Sequence, residues 1–134
     1  MEILYKAKAV SVGGRDGKVH VEKTPIHFEM ALPPELSGSK GVGFNPEQLF
    51  AAGYSACFIG AMKFVAGMQK IALPADTSIQ ATVGIGQIPA GFGIEVQMVV
   101  SVPGVDRAVA QAIVNKAHLV CPYSNATRGN IEVT

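Results

Sequence analysis

The chain contains two cysteines, Cys57 and Cys121, and each stands where a working thiol would be more useful than a structural one. Cys57 lies in the apolar run from Asn45 to Phe58, which reads as a buried helix, whereas Cys121 directly precedes Pro122, where a second helix must stop. The first thiol is expected to be held still and the second to move. That asymmetry suits one thiol that attacks a substrate and another that arrives later to close a disulfide, a cycle that needs neither a metal nor a bound cofactor.

Plainer readings of the same residues stand beside this one. Free cysteine is among the most buried residue types, so Cys57 also reads as an inert core residue. It falls eleven residues past Pro46, about 16 Å along a helix axis, too far for the N-terminal dipole to lower its pKa, so thiolate stabilisation would need a nearby cation. Arg15, within Gly13-Gly14-Arg15-Asp16-Gly17, reads by default as a solvated turn residue, and Glu47 as a favourable first-turn charge. The three histidines are scattered, with His20 and His27 pointing outward from strands and His118 three positions before Cys121. No C-x-x-C or H-x-x-x-H pairing supports zinc, and no histidine is placed by the sequence as a base for a Cys57 hydrolase.

Composition bounds the class. At 134 residues and 49% hydrophobic content the chain is expected to be one domain, 1–134, able to bury a core without disulfide staples. Eleven basic and ten acidic residues give a net charge of +1 without a lysine or arginine tract, which leaves nucleic-acid binding without electrostatic support. Residues 1–8 alternate as a strand does and lack the basic-then-apolar order of a signal peptide, so a cytoplasmic location is expected. The longest uncharged run, Leu49 to Met62, has fourteen residues against the roughly twenty that span a bilayer, and it reads as a core helix. In a reducing compartment a Cys57–Cys121 disulfide would be transient, and the sequon Asn125-Ala126-Thr127 would be idle.

The elements that must position these residues form an α+β pattern. Residues 3–10, 18–23 and 27–32 read as a three-stranded meander, turned at Gly13–Gly17 and broken at Thr24-Pro25. A loop from Pro33 to Phe44 then leads to a marked helix start, with Asn45 as N-cap, Pro46 at the first helical position and Gln48 completing a capping box. This helix is expected from Pro46 to about Lys70, apolar nearly all round and therefore central and buried. Its small residues Gly53, Ala56, Gly60 and Gly67 call for close approach of another backbone, from a sheet or a partner subunit. Residues 77–87 and 93–102 alternate as a β-hairpin around Pro89-Ala90-Gly91, a second helix runs from about Asp106 to Leu119, and Asn130–Val133 can add a short C-terminal edge strand.

Two segments, Asn45-Pro46-Glu47-Gln48-Leu49-Phe50-Ala51-Ala52-Gly53-Tyr54-Ser55-Ala56-Cys57-Phe58 and Val120-Cys121-Pro122-Tyr123-Ser124-Asn125-Ala126-Thr127-Arg128-Gly129-Asn130, resemble the signature segments of the organic hydroperoxide resistance proteins. These are a branch of the osmotically inducible protein C superfamily. The resemblance covers essentially the whole chain, including Gly14-Arg15-Asp16-Gly17, and departs at Phe44, where threonine is more usual. It implies an intertwined homodimer with active sites at the subunit interface, acting as a cysteine peroxidase on organic hydroperoxides. By the same resemblance Cys57 matches the peroxidatic cysteine, Cys121 the resolving cysteine, and Arg15 with Glu47 the charged pair that organises the site. No resident cofactor is implied, and turnover would draw on an external dithiol, with dihydrolipoyl groups of lipoylated proteins as the expected donor. A reading from another class is a thiol redox sensor or apolar-ligand binder that forms the same disulfide without catalysis.

Glu47 and Cys57 are ten positions apart on what reads as one helix, about 15 Å along its axis. Either that helix breaks or the charged pair serves a cysteine across a dimer interface.

Overall fold

Among the described residues five glycines have positive φ, and two of them, Gly13 (φ 81°) and Gly14 (φ 70°), build the first turn of the chain. That left-handed backbone, which L-residues avoid, lets a 3-10 turn at Gly14–Asp16 reverse the chain between β1 (Ala9–Val12) and β2 (Lys18–Val21). The structure, a computed structural model, describes residues 1–37 and 41–134 and comprises two compact units, Met1–Leu49 and Phe50–Thr134.

The first unit is the expected antiparallel meander, β1-β2-β3, with β3 at His27–Glu29. Its ladders are shorter than the sequence predicts. Ala9 pairs with Val21 and Val12 with Lys18, so β2 offers no ladder partner to residues 1–7, and Lys8 meets Glu22 through its C=O, which accepts from the Glu22 N–H, and through its ammonium, 2.8 Å from Glu22 Oε1. Ile3, Leu4 and Tyr5 are left exposed, at 52%, 92% and 82%. The third strand gains an unforeseen neighbour at Phe44, whose N–H donates to Glu29 O while its C=O accepts from the Ala31 N–H. A Cβ at Gly43 would sit 2.5 Å from Glu29 O, so only glycine lets the chain run this close to β3. Phe44, the residue that departs from the resemblance, packs edge-on against Phe28 at 5.5 Å. The expected Pro33–Phe44 loop includes residues 38–40, which lie outside the described residues. Its start is a helical turn, α1 (Pro34–Ser37), rather than loop, with Pro34 supplying a helical φ at the first position. His20 and His27 do not simply point outward: they are cross-strand partners whose rings stack at 4.4 Å.

Helix α2 spans Pro46–Met68 and begins as its sequence dictates. The Gln48 N–H donates to Asn45 Oδ1 and the Asn45 N–H to Gln48 Oε1, both at 2.9 Å, a reciprocal capping box. It stops two residues earlier than expected. Lys70 takes φ 56°, and the Ile71 N–H reaches Ala66 O at 2.9 Å, closing the last turn with a left-handed cap.

In the second unit, the α2 stripe Tyr54, Phe58, Ala61, Met62, Val65 and Ala66 is buried against Val96, Ile113, Ala117 and Cys121. Burial of a side chain such as Phe58 or Met62 contributes about 1.5–3 kcal/mol. The helix is long and apolar enough by length and composition to cross a membrane, but this stripe forms the core of the unit. The expected enclosure on several sides is not met among the described residues, since Phe64 and Met68 are 61% and 74% exposed. Nor does one cause explain the small-residue stripe. A Cβ at Gly53 would meet Tyr123 Oη at 3.0 Å, whereas Gly60 and Gly67 face open space.

Strands β4 (Ser78–Ile88) and β5 (Gly91–Ser101) form the predicted hairpin in continuous register from Ser78↔Ser101 to Ile88↔Gly91. Ile79, Val83, Met98 and Val100 pack on the core, and Val96 lies within it. The C-terminal edge strand is reduced to a parallel bridge between Val96 and Val133. Helix α3 (Arg107–Val120) starts at an Asp106 N-cap whose carboxylate accepts from the Ala108 and Val109 N–H groups. A further helix, α4 (Pro122–Thr127), follows after a single residue and has no counterpart in the sequence expectations.

Candidate active site

Arg15 and Glu47 meet within the first unit. The 3-10 turn presents the guanidinium, and the first turn of α2 presents the carboxylate. Arg15 Nη1 donates to Glu47 Oε2 at 2.8 Å and Nη2 to Oε1 at 2.7 Å, a bidentate fork across 32 positions of sequence. The Arg15 hydrogen bonds hold the Glu47 carboxyl below its usual range despite partial burial, and the same bonds raise Arg15. The default readings of a solvated turn arginine and a lone first-turn acid therefore give way to a fixed, oriented cation.

The two thiols meet within the second unit. Cys57 on α2 and Cys121, the lone residue between α3 and α4, are both free, with their Sγ atoms 3.7 Å apart. A disulfide needs about 2.05 Å, so a small approach would join them. Cys57, expected on a buried helix, is partly exposed, whereas Cys121 is fully buried. The reason lies in Pro122, which ends α3 and also opens α4 at its first position, so Cys121 becomes a joint clasped between two helices.

Burial pushes the Cys57 thiol up, with the neighbouring Cys121 adding to the rise. The Tyr123 backbone N–H pulls the other way. The thiolate is the nucleophile, so this surrounding calls for a cation to make Cys57 reactive. Aromatic rings gather beside it: Phe50, Tyr54 and Tyr123 have centroids 5.5–5.9 Å apart. Phe58 and Met98 line a cavity of about 390 Å³ together with Val100, Val114 and His118. Phe64 stays exposed.

Sequence reasoning missed a buried polar cluster in the same unit. Tyr54 Oη lies 2.9 Å from Ser124 Oγ and 3.1 Å from Thr127 Oγ1, and His118 Nδ1 lies 3.0 Å from Ser124 Oγ. His118 is thus engaged with a serine, and burial followed by the nearby Arg128 charge lowers its pKa. Among the described residues no group of three or more His, Cys, Asp or Glu side chains could hold a metal ion. The signal that could have exposed the cluster is the spacing of Ser124 and Thr127, which share one face of a short helix.

The family model described as OsmC-like protein matches residues 38–134. The organic hydroperoxide resistance protein of Xanthomonas axonopodis pv. citri is 56% identical over 133 residues, covering 99% of this chain and 94% of that protein. Among solved structures, an organic hydroperoxide resistance protein from Elizabethkingia anophelis with crystallant-derived thiocyanate bound is 49% identical, with a TM-score of 0.92 over 99% of this chain and 95% of its own. OhrB of Bacillus subtilis is 42% identical, with a TM-score of 0.89 over 98% and 97%.

Proposed function

This chain belongs to the OsmC-like family and, within it, to the organic hydroperoxide resistance proteins, and from that premise we propose that it is a cysteine-based peroxidase that reduces organic hydroperoxides. The observation that carries the reading is the pair of free thiols 3.7 Å apart, one partly open and one sealed.

In the proposed cycle the Cys57 thiolate attacks the distal oxygen of R–O–OH. The O–O bond breaks, Cys57 is oxidised to the sulfenic acid, and the alkoxide leaves as ROH with one proton. The Cys121 thiol then displaces the hydroxyl of Cys57–SOH, forming the disulfide and releasing water. An external dithiol, a dihydrolipoyl group in this reading, reduces that disulfide by exchange and is itself oxidised to a cyclic disulfide. No bound cofactor takes part. The aromatic cluster and apolar core around Cys57 favour alkyl and fatty-acid hydroperoxides, because burying their organic part contributes about 25 cal/mol per Å² of apolar area. Arg15, oriented by Glu47, supplies the cation that the thiol requires and donates to the peroxide oxygens.

The same proposal makes the enzyme a cytoplasmic intertwined homodimer in which the Arg15–Glu47 fork of one subunit serves Cys57 of the other. Glu47 stands in the first turn of α2 and Cys57 ten positions further along it. The exposed Phe64 and Met68, and the open space above Gly60 and Gly67, provide an α2 face for a partner to cover.

Consumption of cumene hydroperoxide in the presence of dihydrolipoamide tests the function. Sustained turnover, faster than with hydrogen peroxide, is expected. Consumption that stops at one equivalent per chain would instead identify a sensor, and a preference for hydrogen peroxide would remove the organic substrate.

A further inference from the structure

We propose that the hydrogen-bonded chain His118–Ser124–Tyr54–Thr127 sets the spacing of the two thiols, making Tyr54 and Ser124 positioning residues for disulfide closure. The inference rests on the peroxidase reading for its purpose, but not for its geometry or its test.

Tyr54 precedes Cys57 by three positions on α2, and Cys121 precedes Ser124 by three. Tyr54 and Cys57 share a face of α2, and Cys121 is the N-cap of the helix that carries Ser124. The Tyr54–Ser124 hydrogen bond at 2.9 Å and the Cys57–Cys121 approach at 3.7 Å are therefore two rungs across one seam. Tyr54, Cys121 and Ser124 have no exposed surface, and Thr127 is 6% exposed. Helix α4 has six residues, too few to persist on its own hydrogen bonds, so its position depends on tertiary ties. Two of those ties, Ser124 and Thr127, converge on the Tyr54 hydroxyl. A third joins Arg128 to the His118 C=O.

One placement of the protons fills every contact of this chain. Thr127 Oγ1 donates to the Tyr123 C=O at 2.9 Å, with the Ser124 C=O as a second acceptor for the same proton. Its contact with Tyr54 must then be filled by the phenol proton. Tyr54, having given its proton to Thr127, accepts from Ser124, and Ser124 in turn accepts from His118 Nδ1–H. In this placement every hydroxyl donates once and accepts once, with the His118 proton on Nδ1. Protonation of His118 adds a proton at Nε2 and leaves the chain intact. A chain in which all three hydroxyls are satisfied ties α4 to α2 in one register, which is how it would hold Cys121 within reach of Cys57.

Equilibration of the full-length protein with dithiothreitol redox buffers tests this without any peroxide. Oxidised dithiothreitol takes two electrons and two protons from the thiols, leaving the Cys57–Cys121 disulfide and reduced dithiothreitol. In Tyr54→Phe, folded by circular dichroism, the constant is expected to shift toward the dithiol by about tenfold, equivalent to about 30 mV. Thr127→Val should shift it the same way, while Thr127→Ser, which keeps the hydroxyl, should stay near wild type. If Tyr54→Phe does not fold, the two Thr127 variants decide. Constants within about twofold of wild type in the folded Tyr54→Phe and Thr127→Val proteins, or a Thr127→Ser shift equal to that of Thr127→Val, would overturn the proposal. A chain that failed to reduce hydroperoxides would still give these constants, so the two readings fail separately.

Discussion

Cys121 Sγ lies 3.7 Å from Cys57 Sγ, yet Cys121 is sealed from solvent while Cys57 is partly open. A reagent arriving from solution meets Cys57 first, which is the order that attack followed by resolution requires.

Iodoacetamide should therefore label Cys57 in the reduced native protein and leave Cys121 unlabelled until denaturant is added. Peptide mass spectrometry reads this directly. Equal native labelling of both residues would contradict the burial on which the order depends.

The Arg15–Glu47 fork should give an acid-dependent contribution to stability. Arg15 holds the folded-state pKa of Glu47 below its unfolded value of about 4.3, so the stabilisation is present above that pH and is lost as pH falls through the folded pKa. With Arg15 partly exposed, solvent screening limits the contribution to about 1 kcal/mol or less. Urea midpoints should be lower for Glu47→Gln than for wild type at pH 7 and should converge toward pH 3. A gap that is unchanged at pH 3 would assign the loss to something other than the ion pair.

The capping box at the start of α2 should matter for stability. Asn45→Ala removes the acceptor for the Gln48 N–H and should cost about 1 kcal/mol in denaturant unfolding, with no change in the spectrum of the folded state. A cost near zero would mean that the reciprocal bond is not made in solution.

What was legible in the sequence depended on local chemistry. Asn45, Pro46 and Gln48 announce the start of α2 because a cap is made by neighbours, and the β4–β5 alternation announces its hairpin for the same reason. Arg15 and Glu47 were identified as a pair only through resemblance, since 32 positions separate them and each alone is an ordinary surface charge. Helix α4 was not legible: Pro122 to Thr127 carries no apolar periodicity, and Ser124 and Thr127 look like surface residues until Tyr54 covers them. The clasped position of Cys121 was not legible because Pro122 signals a helix end as strongly as a helix start. Strand β1 was overextended because alternation in residues 3–8 reports a strand's capacity and cannot supply its partner.

Subunit sharing of the site can be tested by mixing. Arg15→Ala and Cys57→Ser should each be inactive, and exchange of their subunits should restore about a quarter of wild-type activity, since about half the dimers are mixed and one site in two is intact. No recovery after exchange confirmed by mass would place Arg15 and Cys57 of one chain in the same site.

The division of labour between the thiols is tested most directly by a single pulse of cumene hydroperoxide on the reduced Cys121→Ser variant, followed by mass spectrometry with a sulfenic-acid trap. About one equivalent of peroxide should be consumed, and the trapped sulfenic acid should appear at Cys57, because attack precedes resolution. Cys57→Ser should consume none. No consumption and no oxidised Cys57 in Cys121→Ser would contradict the assignment of Cys57 as the attacking thiol.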